Sequence, residues 1–172
     1  MDVVRMRIPY GFIRDKVRMS WRDVLFGLDQ QLLDPRGAIE LATELLGADG
    51  HPVPTLIDLA NVKREEEARA HVERLATCES EVAGEETRGK WLYIVLAWIL
   101  ENQRDYADPL RTVEEVYADF DYPESIVGFV RYMPSDEPDL GSRELHEARL
   151  YGKWKAYVEE CTRKYACQPG QQ

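Results

Sequence analysis

The sequence predicts an all-α fold, a single-domain irregular helical bundle of about seven to nine helices around a central apolar helix at Trp91 to Leu100. Three observations carry this reading. Helix start and stop signals recur along the chain, apolar residues fall at three- and four-residue spacings, and alternating apolar and polar runs with Gly-rich hairpin signals are scarce. At 172 residues the chain can bury a core without disulfides or metal, so one domain over 1–172 is expected, with Gln168 to Gln172 as a frayed tail.

The elements follow in order. A short one starts near Pro9. Ser20, three residues before Asp23, makes a capping-box-like start for a helix to about Leu32, with Trp21, Val24, Leu25 and Leu28 on one face. Asp34-Pro35 supplies an N-cap and a first helical residue, Ile39, Leu41, Ala42, Leu45 and Leu46 form the apolar stripe, and Gly47 stops the helix. Gly47 to Pro54 reads as a loop, and Leu56, Ile57, Leu59 and Ala60 as a brief apolar turn. Lys63 to Leu75 is expected as a charged, one-sided helix, with Glu65-Glu66-Glu67 as its solvated face, and Cys78 to Arg88 as an acidic connector. From Trp91 to Leu100 the chain is apolar most of the way round a helix, as suits a buried position, with Trp91 and Trp98 packed in the core. Asp108-Pro109 repeats the cap-plus-proline device for a helix carrying Leu110, Val113, Val116 and Tyr117. Asp121 and Glu124 are candidate caps of a following helix that holds Ile126, Val127, Phe129 and Val130. A final helix from about Arg143 to Ala166 places Leu150, Trp154, Tyr157, Val158 and Cys161 on one side.

Charge narrows the function classes. The net charge is −10, from 22 basic and 32 acidic residues, which argues against nucleic acid or an anionic membrane surface as the main partner, because phosphate contacts need clustered Lys and Arg. Residues 101–141 are the most acidic stretch, with 3 basic against 11 acidic residues. The apolar run at Trp91 to Leu100 is about half a membrane span and is closed by Lys90 and Glu101. Cys78, Cys161 and Cys167 form no metal or redox motif, and Met1 to Ile8 has no signal-peptide pattern, so a reducing cytoplasm is the expected compartment.

The segment Glu114 to Pro134 crowds acids and aromatics around an expected helix-turn-helix junction. Glu114, Glu115, Asp119, Asp121 and Glu124 share it with Tyr117, Phe120, Tyr122 and Tyr132. That mixture suits recognition of a basic protein: carboxylates steer and pair, and aromatic residues supply desolvated anchors. The candidate partner-binding residues are Glu114, Glu115, Tyr117, Asp119, Asp121, Tyr122 and Glu124, of which Glu115, Asp119 and Glu124 are the preferred contacts. Asp119-Phe120-Asp121 also has alternating carboxylates suited to a divalent cation, but Phe120, Tyr122 and Pro123 interrupt the oxygen spacing such a loop needs, so no metal or cofactor is expected. His51, His71 and His146 are scattered, with no nucleophile placed beside them, and no catalytic residue is assigned. An acid-base pair within the acidic cluster is the less favoured alternative.

Ser20-Trp21-Arg22, Trp91-Leu92-Tyr93 at the start of the apolar helix, Tyr117-Ala118-Asp119-Phe120-Asp121-Tyr122-Pro123-Glu124 and Phe129-Val130-Arg131-Tyr132-Met133-Pro134 resemble a small bacterial family of unassigned activity. That family is proposed to supply immunity proteins in polymorphic toxin and contact-dependent inhibition systems. The resemblance runs from about Pro9 to Tyr165, and no binding residues come with it. It implies an immunity protein that neutralises a cognate toxin domain; the absence of a nucleophile arrangement in the sequence predicts no catalytic turnover, and the same acidic, aromatic features fit a helical adaptor or regulator for another basic partner as the alternative.

Overall fold

The computed structural model describes residues 6–48, 51–80 and 84–166, so the tail expected at Gln168 to Gln172 lies outside the described residues. Among those described are eight α-helices and three 3₁₀ segments, with no strand. The fold is all-α, as the periodicity predicts. The chain divides into two compact units between Trp91 and Leu92.

The first unit holds α1 (Tyr10–Lys16), α2 (Trp21–Asp29), α3 (Pro35–Ala48), α4 (Pro54–Ala60), α5 (Ala68–Thr77) and the start of α6 (Gly84–Glu101). Its core is aliphatic, built from Ile13, Val24, Ala38, Ala42, Leu59 and Val72, with Trp91 fully buried. The Ser20 hydroxyl accepts from the Asp23 amide while the Asp23 carboxylate accepts from the Ser20 amide, which is the capping box that the sequence predicts. Asp23 does more. At 1% exposure its carboxylate also takes hydrogen bonds from Thr87 Oγ1 at 2.7 Å and Lys90 Nζ at 2.8 Å, so a buried ion pair ties α2 to α6. Trp91 Nε1 donates to the Asp23 carbonyl at 2.8 Å, and the indole ring lies so close to α2 that a Cβ at Gly27 would meet Trp91 Cζ2 at 2.2 Å. Glu79, from the expected acidic connector, accepts from the Trp21 and Arg22 amides at 2.8 and 3.1 Å and so satisfies the open N-terminus of α2.

Several boundaries differ from the sequence reading. Helix α2 stops at Asp29, not near Leu32, because Gln31 turns left-handed (φ 57) and the Leu32 and Leu33 amides both bond to the Gly27 carbonyl. Helix α3 passes through Gly47 to Ala48, since an exposed glycine in the last turn is tolerated. The acidic run Glu65–Glu67 is a 3₁₀ turn leading into α5. Gly84 to Arg88, expected as connector, already belongs to α6; Glu85 and Glu86 in its first turn favour a helix start.

The second unit holds the remainder of α6, α7 (Pro109–Asp119), a 3₁₀ segment (Glu124–Phe129) and α8 (Arg143–Ala166). From Trp91 to Leu100 every residue is buried except Trp98 and Leu100, which are half-buried. Trp154 anchors α8, stacked against Phe129 with centroids 6.4 Å apart and against Tyr151 at 5.7 Å. Tyr93 stacks on Tyr165 at 5.4 Å, and its hydroxyl hydrogen-bonds Thr162 at 2.8 Å.

Candidate protein-recognition surface

Helix α7 begins as its sequence dictates. Asp108 accepts from the Arg111 amide at 3.1 Å, Pro109 occupies the first helical position, and Leu110, Val113, Val116 and Tyr117 turn inward. At the other end the chain does something the sequence conceals. Asp121 (φ 59) and Tyr122 (φ 56) are consecutive left-handed residues, and neither is glycine. The Asp121 amide bonds to the Ala118 carbonyl at 3.3 Å and the Tyr122 amide to the Tyr117 carbonyl at 2.9 Å, which closes the helix end. Aspartate tolerates this backbone; for tyrosine it is strained.

The corner folds Tyr122 back over Tyr117. Tyr117 is buried at 6% exposure, while Tyr122, 60% exposed, meets it edge-on with centroids 5.3 Å apart and planes at 82°. Tyr132, 57% exposed, reaches the same buried ring from beyond the 3₁₀ segment, at 6.2 Å and 60°. Its place is fixed by its neighbour. Arg131 Nη2 contacts Asp108 at 3.0 Å, Nε contacts Glu114 at 3.1 Å and Nη1 lies 3.7 Å from Glu147, so one guanidinium joins the N-cap and the middle of α7 to α8. Hydrogen bonding to Glu114 holds the guanidinium further into its charged form than usual. For Asp108, burial opposes ionisation, but the Arg111 amide and Arg131 more than offset it and keep the carboxyl below the ordinary range.

The acids fall into two groups. Glu114 sits three residues before Tyr117, on the tyrosine flank, half-buried and paired with Arg131. Glu115 and Asp119, four apart, form a separate ridge on the solvent side of α7, where Glu115 faces Arg111 at 3.7 Å. Partial burial, and then the Glu115 charge, push the Asp119 carboxyl above its usual range. Asp121 and Glu124 are both exposed. The expectation that they cap a following helix is corrected: that element is a six-residue 3₁₀ segment whose N-cap is Pro123, with no side-chain cap bond. The proline fixes an extended backbone there and removes an amide donor.

Residues 10–162 of the chain match the model of a family described as an uncharacterized protein conserved in bacteria, DUF2247. The chain belongs to this family. The DUF2247 match takes in the whole of α7, the tyrosine corner and most of α8. No curated protein and no solved structure matches the chain.

Elsewhere in this DUF2247 member, titratable groups neutralise one another. A cleft of about 600 Å³ is lined by Arg131, Glu137, His146, Arg149 and Lys153 among others. Glu137 bridges Arg149 at 3.2 Å and Lys153 at 2.8 Å, while His146 Nε2 lies 2.7 Å from Asp139 and its Nδ1 lies 3.1 Å from Arg149. Among the described residues His146 bonds to Asp139, Arg149 and the Leu140 amide. Among the described residues no group of three or more His, Cys, Asp or Glu is arranged to hold a metal ion, and no helix is long and apolar enough to cross a membrane.

Sequence reasoning put Tyr117 and Tyr122 on the surface together but left Tyr132 off the contact set and gave Arg131 no role. The available signal was the Arg131-Tyr132 pair directly after the buried Phe129-Val130, where a guanidinium needs nearby carboxylates and a ring at the edge of a core stays half in solvent.

Proposed function

We propose that the protein is a non-catalytic binding protein, an immunity protein that neutralises a basic bacterial toxin domain through the tyrosine corner and the acids around it. One observation carries the reading: a strained left-handed corner holds Tyr122 largely in solvent, and it and the equally exposed Tyr132 both rest on the buried Tyr117. Rigid, amphipathic tyrosines on a firm base are what interface hot spots are made of. The Glu115–Asp119 ridge and Glu124 add negative charge that guides a basic partner into contact.

A toxin that acts on nucleic acid carries a basic cleft because its substrate is polyanionic, and a carboxylate-rich surface imitates that substrate. The test is protection. The gene beside that of this protein is expressed with it in cells, with and without the substitutions Glu115→Lys, Asp119→Lys and Glu124→Lys together, after circular dichroism shows the variant folded. Loss of protection and of binding in the folded variant is expected. Full protection by the variant removes the acidic surface from the reading, and a neighbouring gene whose product is harmless turns it towards an adaptor for some other basic partner.

A further inference from the structure

We infer that the Tyr117, Tyr122 and Tyr132 corner is a receptor for one cationic side chain of the partner, an arginine or lysine seated against the exposed faces of Tyr122 and Tyr132. The inference rests on the reading of this surface as a protein-binding one and specifies what it grips.

Ring geometry is the first support. Tyr122 and Tyr132 are each steeply inclined to the same buried ring, at 82° and 60°, and each keeps more than half its surface in solvent. Rings set at angles around one point present faces that carry the negative end of the aromatic quadrupole, and a cation within about 6 Å of such a face is attracted. The cation–ring contacts of Lys16 with Phe12 and of Lys164 with Tyr165 are made on other rings.

Local charge is the second. From Asp108 to Tyr132 the chain carries six carboxylates, Asp108, Glu114, Glu115, Asp119, Asp121 and Glu124, against two guanidiniums, Arg111 and Arg131. The segment that builds the corner is therefore net negative. An apolar partner group would gain nothing from that field, whereas a guanidinium or ammonium gains from both ring faces and carboxylates.

The probes are the Nα-acetyl amides of arginine, lysine and citrulline, the last a neutral match in shape to arginine, titrated into the full chain while tyrosine ring resonances are followed by NMR. The cationic amides are expected to shift the Tyr122 and Tyr132 signals saturably and citrulline amide to leave them unmoved; whichever of arginine and lysine binds tighter names the partner residue. Tyr122→Phe and Tyr132→Phe keep a ring face and should bind like the parent. Tyr122→Leu and Tyr132→Leu keep apolar bulk only and should bind about two- to fivefold more weakly, the size of an exposed cation–π contact. Equal shifts with citrulline amide, or Leu variants that bind as well as Phe variants, overturn the inference. Failure here leaves the acidic surface standing if the triple Lys variant still loses the partner, and saturable arginine binding at the corner beside an unaffected triple variant does the reverse.

Discussion

Tyr122 offers a separation of folding from function that most surface residues do not. At φ 56 it occupies backbone that costs an L-residue with a Cβ about 1 to 2 kcal/mol and costs glycine almost nothing. Tyr122→Ala and Tyr122→Gly both delete the edge contact with Tyr117, itself worth about 0.5 to 1.5 kcal/mol, and both keep the amide that bonds to the Tyr117 carbonyl. They differ in the strain, which alanine retains and glycine relieves, and in chain entropy, which penalises glycine by about 0.5 to 1 kcal/mol. Glycine should therefore be the more stable by about 0.5 to 1 kcal/mol, reversing the usual order. Urea denaturation of the two variants measures this, and binding of the partner should be weakened equally in both. An alanine variant more stable than the glycine one would refute the strained corner and with it the argument that the tyrosine is held there for contact.

Other outcomes follow from the same structure. Asp23→Ala strips the buried Lys90 ammonium of its carboxylate and opens the capping box, and should cost about 3 to 5 kcal/mol in urea denaturation, much of it recovered when Asp23→Leu is combined with Lys90→Met. A loss below about 1 kcal/mol in the single variant would contradict the buried pair. Gly27→Ala drives a methyl into the Trp91 ring and should destabilise by about 1 to 3 kcal/mol, with a shift in tryptophan fluorescence as the ring moves. Asp119 carries a carboxyl whose folded pKa is raised, so the folded state holds its proton longer and the native chain loses stability as pH rises through that window. Asp119→Asn should accordingly melt higher than the parent near pH 7, with the gain fading below the ordinary carboxylate range; a gain that grows towards acid pH would have the wrong sign.

Local rules reach most of the fold. Ser20 with Asp23, Asp34-Pro35 and Asp108-Pro109 mark three helix starts because caps act over three residues, and the all-round apolar run at Trp91 identifies the buried helix because nothing else in water tolerates it. What stays hidden depends on distant partners or on backbone that composition does not announce. Asp23 reads as a cap; its bond to Lys90 spans 67 residues. Asp121 reads as a cap and Tyr122 as an aromatic, whereas the left-handed turn they share is usually signalled by glycine, which is missing here. The acid-aromatic segment is visible as composition, but only the helix register divides it into a Glu115–Asp119 ridge and a Glu114–tyrosine flank, and only Arg131 brings Tyr132 to the second.

The claim that this surface recognises a basic protein by charge and tyrosine together is tested most directly by the rate of association. With the partner from the neighbouring gene, stopped-flow mixing of the parent chain at low and at near-physiological salt should show steered association that falls steeply as salt rises, with the triple Glu115→Lys, Asp119→Lys, Glu124→Lys variant slower and far less salt-sensitive. Identical rates and identical salt dependence for parent and variant would contradict the account.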